Sequence, residues 1–219
     1  MTAGNWTKSG ILFCLILTTG VCHAQNPYES ATSPTPATEI DRLVGAVLSE
    51  KGIEPANPAS EEVFFRRAYL DVTGTLPLPQ AYRKYMKLPQ DKRRGRLIDQ
   101  LMETEAFVDY WALKWSDLLR IKAEFPINLW PNGVQAYHRW VSEAVATNMA
   151  YDVFARLLLT SSGTNFRVPP VNFYRAIEGQ DPETIAAAAS LTLMGVLFDS
   201  WSEQQRSDMS NIFSRVAYK

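Results

Sequence analysis

The sequence predicts an all-α protein, an irregular bundle of roughly eight or nine helices. Apolar residues recur at helical spacing in segment after segment, and capping residues stand where those segments begin. No strand-like alternation competes with them, and no internal repeat is visible. A chain of 219 residues, 46% hydrophobic and 11% aromatic, can bury one real core or two small ones. A formal net charge of −1 gives no overall field to draw in nucleic acid or an acidic membrane surface.

The first residues predict export. Lys8 is the only charge before Glu29, Ile11 to Val21 form a short apolar run, and Cys22-His23-Ala24 supplies a small residue before Gln25. Residues 1–24 read as a secretory signal peptide, too short for a comfortable membrane span. The expected location is the periplasm or the cell surface, with no membrane span after cleavage. Cleavage removes both cysteines, Cys14 and Cys22, and leaves His138 as the sole histidine. A multi-histidine metal site or a covalent c-type haem is then not expected, and no cofactor is assigned.

Residues 25–37 form a linker rich in Pro, Ser and Thr, and residues 38–219 form the helical domain. Thr38 with Asp41 predicts a capped first helix, and Ile40, Leu43, Val44, Val47 and Leu48 share one of its faces. The second helix begins near Asn57-Pro58 or Ser60 and carries Glu61 and Glu62 in its first turn. It ends at Gly74, before Pro77 and Pro79, with Arg67 and Asp71 spaced to pair as a partly buried ion pair. Residues 79–87 make a short helix; residues 90–103 place Leu97, Ile98, Leu101 and Met102 inward, behind the basic run Lys92 to Arg96, read as a solvated face.

Residues 105–121 put Phe107, Trp111, Trp115 and Leu118 on one inner stripe. Residues 133–147 and 151–160 show the same period. Ser161 to Gln180 is the one long irregular segment, stiffened by Pro169 and Pro170. Asp181-Pro182 starts a helix that is apolar all round from Ile185 to Val196, hence buried. Ser200 and Glu203 read as a capping box for the last helix, with Trp201, Ile212, Phe213 and Val216 inward.

The stretches FFRRAYLDVTGTLP (64–77), WALKWSDLLR (111–120), YHRWVSEAV (137–145) and NFRVPPVNFYRA (165–176) resemble a known family. It is the exported helical domain of unknown function fifteen-forty-nine, associated with planctomycete surface cytochromes. The resemblance runs from about residue 38 to the end. It implies an exported helical domain. In many relatives the apolar helix is followed by Cys-x-x-Cys-His; here Leu197 to Trp201 follows Val196 directly, so haem is not expected. Relatives commonly continue into a further domain, and this chain is expected to lack that C-terminal continuation.

No Gly-x-Ser-x-Gly, His-Glu-x-x-His or phosphate-loop motif is present. Candidate binding residues are Arg167, Asn172, Tyr174 and Arg175 in the irregular segment, suited to an anion or a partner strand. Asp117 and Arg120, expected as a local ion pair, and His138, expected at the core edge, complete the set. No catalytic or metal-binding residue is assigned. The function expected is a non-catalytic interaction or scaffold module for a protein or other cell-envelope partner. The rival expectation is a hydrolase of extracellular polymers using paired carboxylates.

Overall fold

Helix-period patterning becomes ten α-helices in the structure, a computed structural model that describes residues 27–30, 35–124 and 129–218. No strand forms among the described residues; Glu29 and Ala59 make one isolated antiparallel bridge. The expected signal peptide, residues 1–24, lies outside the described residues. None of the described helices is long and apolar enough to cross a membrane.

The chain divides into two units, Met1–Glu61 and Glu62–Lys219. In the first, α1 (Glu39–Glu50) starts with the expected reciprocal cap: Asp41 N–H donates to Thr38 Oγ1 at 3.2 Å, and Thr38 N–H to Asp41 Oδ2 at 2.9 Å. Glu39 and Arg42 pair one turn apart. The α1 apolar face is not a core face, because Ile40, Leu43, Val44 and Val47 are all exposed and α1 buries no residue. Part of the expected linker is tied down: Ser30 N–H donates to Pro58 O and Ser60 N–H to Tyr28 O.

The second unit opens one residue inside α2 (Glu61–Thr73), followed by α3 (Pro79–Tyr85) and α4 (Arg93–Met102). Phe65, Ala68, Tyr85, Leu97 and Leu101 form one buried cluster. The basic run is only partly a solvated face. Arg94 lies over the Phe64 ring at 4.5 Å and Arg93 over Tyr85 at 5.7 Å, because their long stems cover this aromatic cluster. Ile98 and Met102 are turned to solvent, and Leu97 and Leu101 carry the face instead. The Arg67–Asp71 ion pair does not form; both side chains are exposed, where such a pair gains little.

α5 (Glu105–Leu118), α6 (Pro131–Ala146), α7 (Tyr151–Thr160), α8 (Asn172–Arg175), α9 (Pro182–Ala189) and α10 (Glu203–Ile212) build the main core. α5 packs on α6, α9 packs on α10, and the 3-10 turn Pro169–Val171 packs on both α6 and α7. α8 is the helix beyond the expected count. Four residues are too few to display a period, but Phe173 within it is fully buried. α9 continues into a π-helical turn, Ser190–Met194, closed by Gly195 at φ 66. Its buried side is Ile185, Ala186, Ala188 and Ala189, whereas Leu191 and Met194 face solvent, so this segment is not buried all round.

The last helix is capped two residues later than expected. Leu197 to Ser200 is taken up by a 3-10 turn, so Ser202 caps α10 and Gln205 reciprocates. Of its expected inner face, Phe213 is buried and Ile212 is exposed. Asp181 caps α9 as expected, accepting from Thr184 N–H at 2.9 Å and from Thr184 Oγ1 at 2.7 Å. Those bonds hold its carboxyl below the usual carboxylate range. A lowered folded value means stability present above the unfolded value, near pH 4, and lost as pH falls through the folded one. Asp181→Asn is therefore expected to show a smaller fall in Tm between pH 5 and pH 2.5 than the unaltered chain, measured by thermal melts at matched ionic strength.

Candidate functional site

The inner positions of α5 are Ala112 and Ser116, followed by Leu119 at its cap, spaced as successive turns. The stripe one residue earlier, Phe107, Trp111 and Trp115, is rotated about 100° from them and walls a hollow instead of filling the core. The opposite wall is Ala144 and Val145 at the end of α6, then Asn148 and Met149 in the turn beyond it, and Tyr151 and Phe154 of α7. Leu118 is exposed. The hollow has a volume of about 190 Å³.

Its rings are held firmly. Trp115 tilts against Phe154 at 5.1 Å, and Trp140 stacks on the same ring at 4.9 Å and 11°. Trp111 Nε1–H donates to Val72 O at 3.1 Å, and Tyr151 Oη–H to Leu193 O at 2.5 Å. Both heteroatoms are thus satisfied by backbone, while Trp111 and Tyr151 as whole residues stay 38% and 51% exposed. The chain turns the corner into α7 through Asn148 at φ 48, with Met149 N–H donating to Ala144 O and Asn148 N–H to Val145 O. That is a Schellman closure with asparagine at the left-handed position.

The irregular segment makes a second, larger cleft of about 840 Å³. Its polar lining is Ser161, Ser162, Thr164, Asn165 and Arg175, and the tail residues Val216 to Tyr218 close one side. Two phenols lace it together: Tyr174 Oη–H donates to Leu159 O at 2.9 Å, and Tyr218 Oη–H to Tyr174 O at 3.3 Å. Burial raises both phenols above their ordinary range. Asn172 works from inside. Fully buried, its amide donates to Asn165 O and Pro169 O, both at 2.9 Å, and so shapes the loop. Arg167 is exposed and does not line the cleft. The structure therefore brings Tyr174 and Arg175 to one cleft and gives Asn172 an internal position.

Asp117 and Arg120 do not pair. Arg120 lies past the end of α5 at φ 56, its N–H donating to Asp117 O while Ile121 N–H donates to Ser116 O. This closure uses arginine where glycine is usual. It carries the guanidinium to Thr192 Oγ1, 3.3 Å away on the π-helical turn, and leaves Asp117 exposed. Burial lowers the guanidinium's affinity for its proton, and nearby Tyr137 partly offsets this. Burial likewise pushes the Tyr137 phenol above its ordinary range. His138, expected at the core edge, is exposed in a shallow depression with Ile121, Val134 and Ser142, because one turn of α6 inward belongs to Tyr137 and Val141.

Sequence reasoning missed the aromatic hollow. Its signal was available in the smallness of Ala112 and Ser116, one residue beyond each tryptophan. No three His, Cys, Asp or Glu side chains come together as a metal site would need among the described residues. A family model described as PSCyt2, protein of unknown function (DUF1549), matches residues 39–217. No curated protein and no solved structure matches the chain.

Proposed function

Starting from a chain that belongs to the PSCyt2 family of proteins of unknown function (DUF1549), we propose an exported, non-catalytic interaction module that docks a cell-envelope protein. The docking point is the Phe107–Phe154 hollow, and its occupant is one large apolar side chain of the partner. The observation that carries this reading is the hollow itself: pinned tryptophan and tyrosine rings with their faces left open. Its volume of about 190 Å³ falls below the ~300–1,000 Å³ of small-molecule sites and suits a single anchor residue. Trp, Tyr and Met are the residue types enriched at such anchor points, and Met149 lets the wall adapt. Export rests on the N-terminal apolar run.

The rival reading, hydrolysis by paired carboxylates, needs one acid that keeps its proton near neutrality. The displaced carboxyls point the other way. Glu39 is lowered by its bond to Arg42, Asp41 by Thr38 and Asp181 by Thr184, the pattern of caps and local pairs.

The test places a photo-crosslinking residue at position 111, at 151, or at exposed position 83 on α3, in the chain expressed in its own cell envelope. The expected result is one shared partner at 111 and 151 and none at 83, with mapped crosslinks on an apolar residue. A second arm measures partner binding by Trp111→Ala, expected about 10-fold or more weaker, as for a truncated aromatic anchor. Identical crosslinks at all three positions, or unchanged binding by Trp111→Ala, would overturn the reading.

A further inference from the structure

The cleft of the irregular segment carries chemistry that an interaction surface at the aromatic hollow does not use. We propose that it is a binding site for a small, polar, oxyanion-bearing ligand, whose carboxylate, sulfate or phosphate group is held by Arg175.

Size is the first argument. About 840 Å³ lies within the range typical of small-molecule sites, roughly 300–1,000 Å³. The second argument is the balance of donors and acceptors. Among the described residues the cleft is lined by the Ser161 and Ser162 hydroxyls, the Asn165 amide and the Arg175 guanidinium, and by no carboxylate side chain. Arg175 is half-buried at the end of α8, and among the described residues its guanidinium has no hydrogen bond and no acidic partner. A guanidinium at a cleft wall with its donors free of protein partners calls for an oxyanion, which it can take in a bidentate fork.

Third, the site is preorganised. The phenols that flank Arg175 are committed to backbone: Tyr174 to Leu159 O and Tyr218 to Tyr174 O. They fix the walls and leave the guanidinium as the strong free donor. Arg175 also lies close enough to Tyr218 to lower that phenol's proton affinity against the effect of burial. From below, buried Asn172 ties Asn165 O and Pro169 O together, so the loop bearing Ser161 to Asn165 keeps its shape without a ligand. The serine hydroxyls add neutral donors and acceptors suited to hydroxyl groups on the body of the ligand.

The experiment uses the full chain labelled with ¹⁵N and titrates it with glucuronate, glucose, inorganic sulfate and inorganic phosphate at constant ionic strength. Saturable amide shifts confined to residues 161–165, 174–176 and 216–218 are expected with glucuronate. Glucose, the same ring without the charge, is expected to bind about 10- to 100-fold more weakly, the scale of one charge-assisted bond. Saturation by sulfate or phosphate instead of glucuronate keeps the oxyanion and identifies its source. Arg175→Gln is expected to abolish the preference for glucuronate over glucose, and Arg175→Lys to retain part of it. Ser162→Ala, an exposed change, is expected to weaken glucuronate while leaving the spectrum dispersed. Equal binding of glucose and glucuronate, shifts that never saturate with any of the four probes, or shifts centred elsewhere would overturn the assignment. None of these outcomes bears on crosslinking at positions 111 and 151, so the two proposals fail separately.

Discussion

Gly74→Ala is expected to destabilise the second unit by about 2–5 kcal/mol, read as a lower urea midpoint with an unchanged m-value. Two independent costs add. Gly74 follows the last residue of α2 at φ 65, where an alanine costs about 1–2 kcal/mol through the clash of its Cβ with the following carbonyl. A Cβ built at this position would also stand 2.4 Å from Tyr110 Cδ2 and 2.6 Å from Cε2. Tyr110 cannot simply swing away, because its ring packs edge-on to Trp111 and carries Lys114 Nζ at 5.2 Å. Overpacking of this kind costs about 1–3 kcal/mol.

The same substitution at Gly95 has the opposite expected sign. Gly95 lies inside α4, and a Cβ there meets nothing within 4 Å. Gly95→Ala is expected to stabilise by about 0.5–1 kcal/mol, the usual gain of alanine over glycine in a helix. Pairing Gly74→Ala with Tyr110→Ala separates the two costs at Gly74: the double variant should recover the steric part and keep the backbone part, a coupling of about 1–3 kcal/mol. Full additivity would show that the clash with Tyr110 does not exist in solution.

Features written in residues at most three apart were mostly legible beforehand, the cap of α10 being the exception. Asp181-Pro182 starts α9, Thr38 and Asp41 cap α1, and Gly74 takes the left-handed position, because caps and turns are local chemistry. What required the third dimension was the rotation of a helix about its axis. On α5 the aromatic stripe and the small-residue stripe are one residue apart, and both have helical period. Close packing against α6 favours Ala112 and Ser116 inward, because small side chains let the backbones approach, and the large rings then fall at the edge. The hollow is a product of that choice. Arg120 was illegible for a different reason. An arginine in the left-handed position carries no compositional mark, whereas Asn148 at φ 48 is a residue type known to tolerate it. The missing Asp117–Arg120 pair follows directly, since spacing arguments hold only while the helix continues.

Phe173→Ala carries the other large expected effect, about 3–5 kcal/mol, the range for emptying a fully buried phenylalanine site. The number decides what the 161–180 segment is. In the sequence it is the one long irregular segment, and truncations in a segment lying on the surface usually change stability by less than about 0.5 kcal/mol. In the structure Phe173 is completely buried in the main cluster with Tyr137, Leu158 and Ile185, and Asn172 beside it is equally enclosed. The segment is therefore a wall of the core that happens to lack long helices, and its cleft is as rigid as that wall. Loss of Phe173 should raise hydrogen exchange at Tyr174 to Ile177 and expose the Arg175 peptide bond to trypsin at temperatures where the unaltered chain resists. It should leave α2 to α4 protected up to the global transition, because Phe65, Tyr85 and Leu97 form a cluster of their own. A change below 0.5 kcal/mol at Phe173 would mean that the segment is a detachable lid, and the preorganisation argued for Arg175 would fall with it.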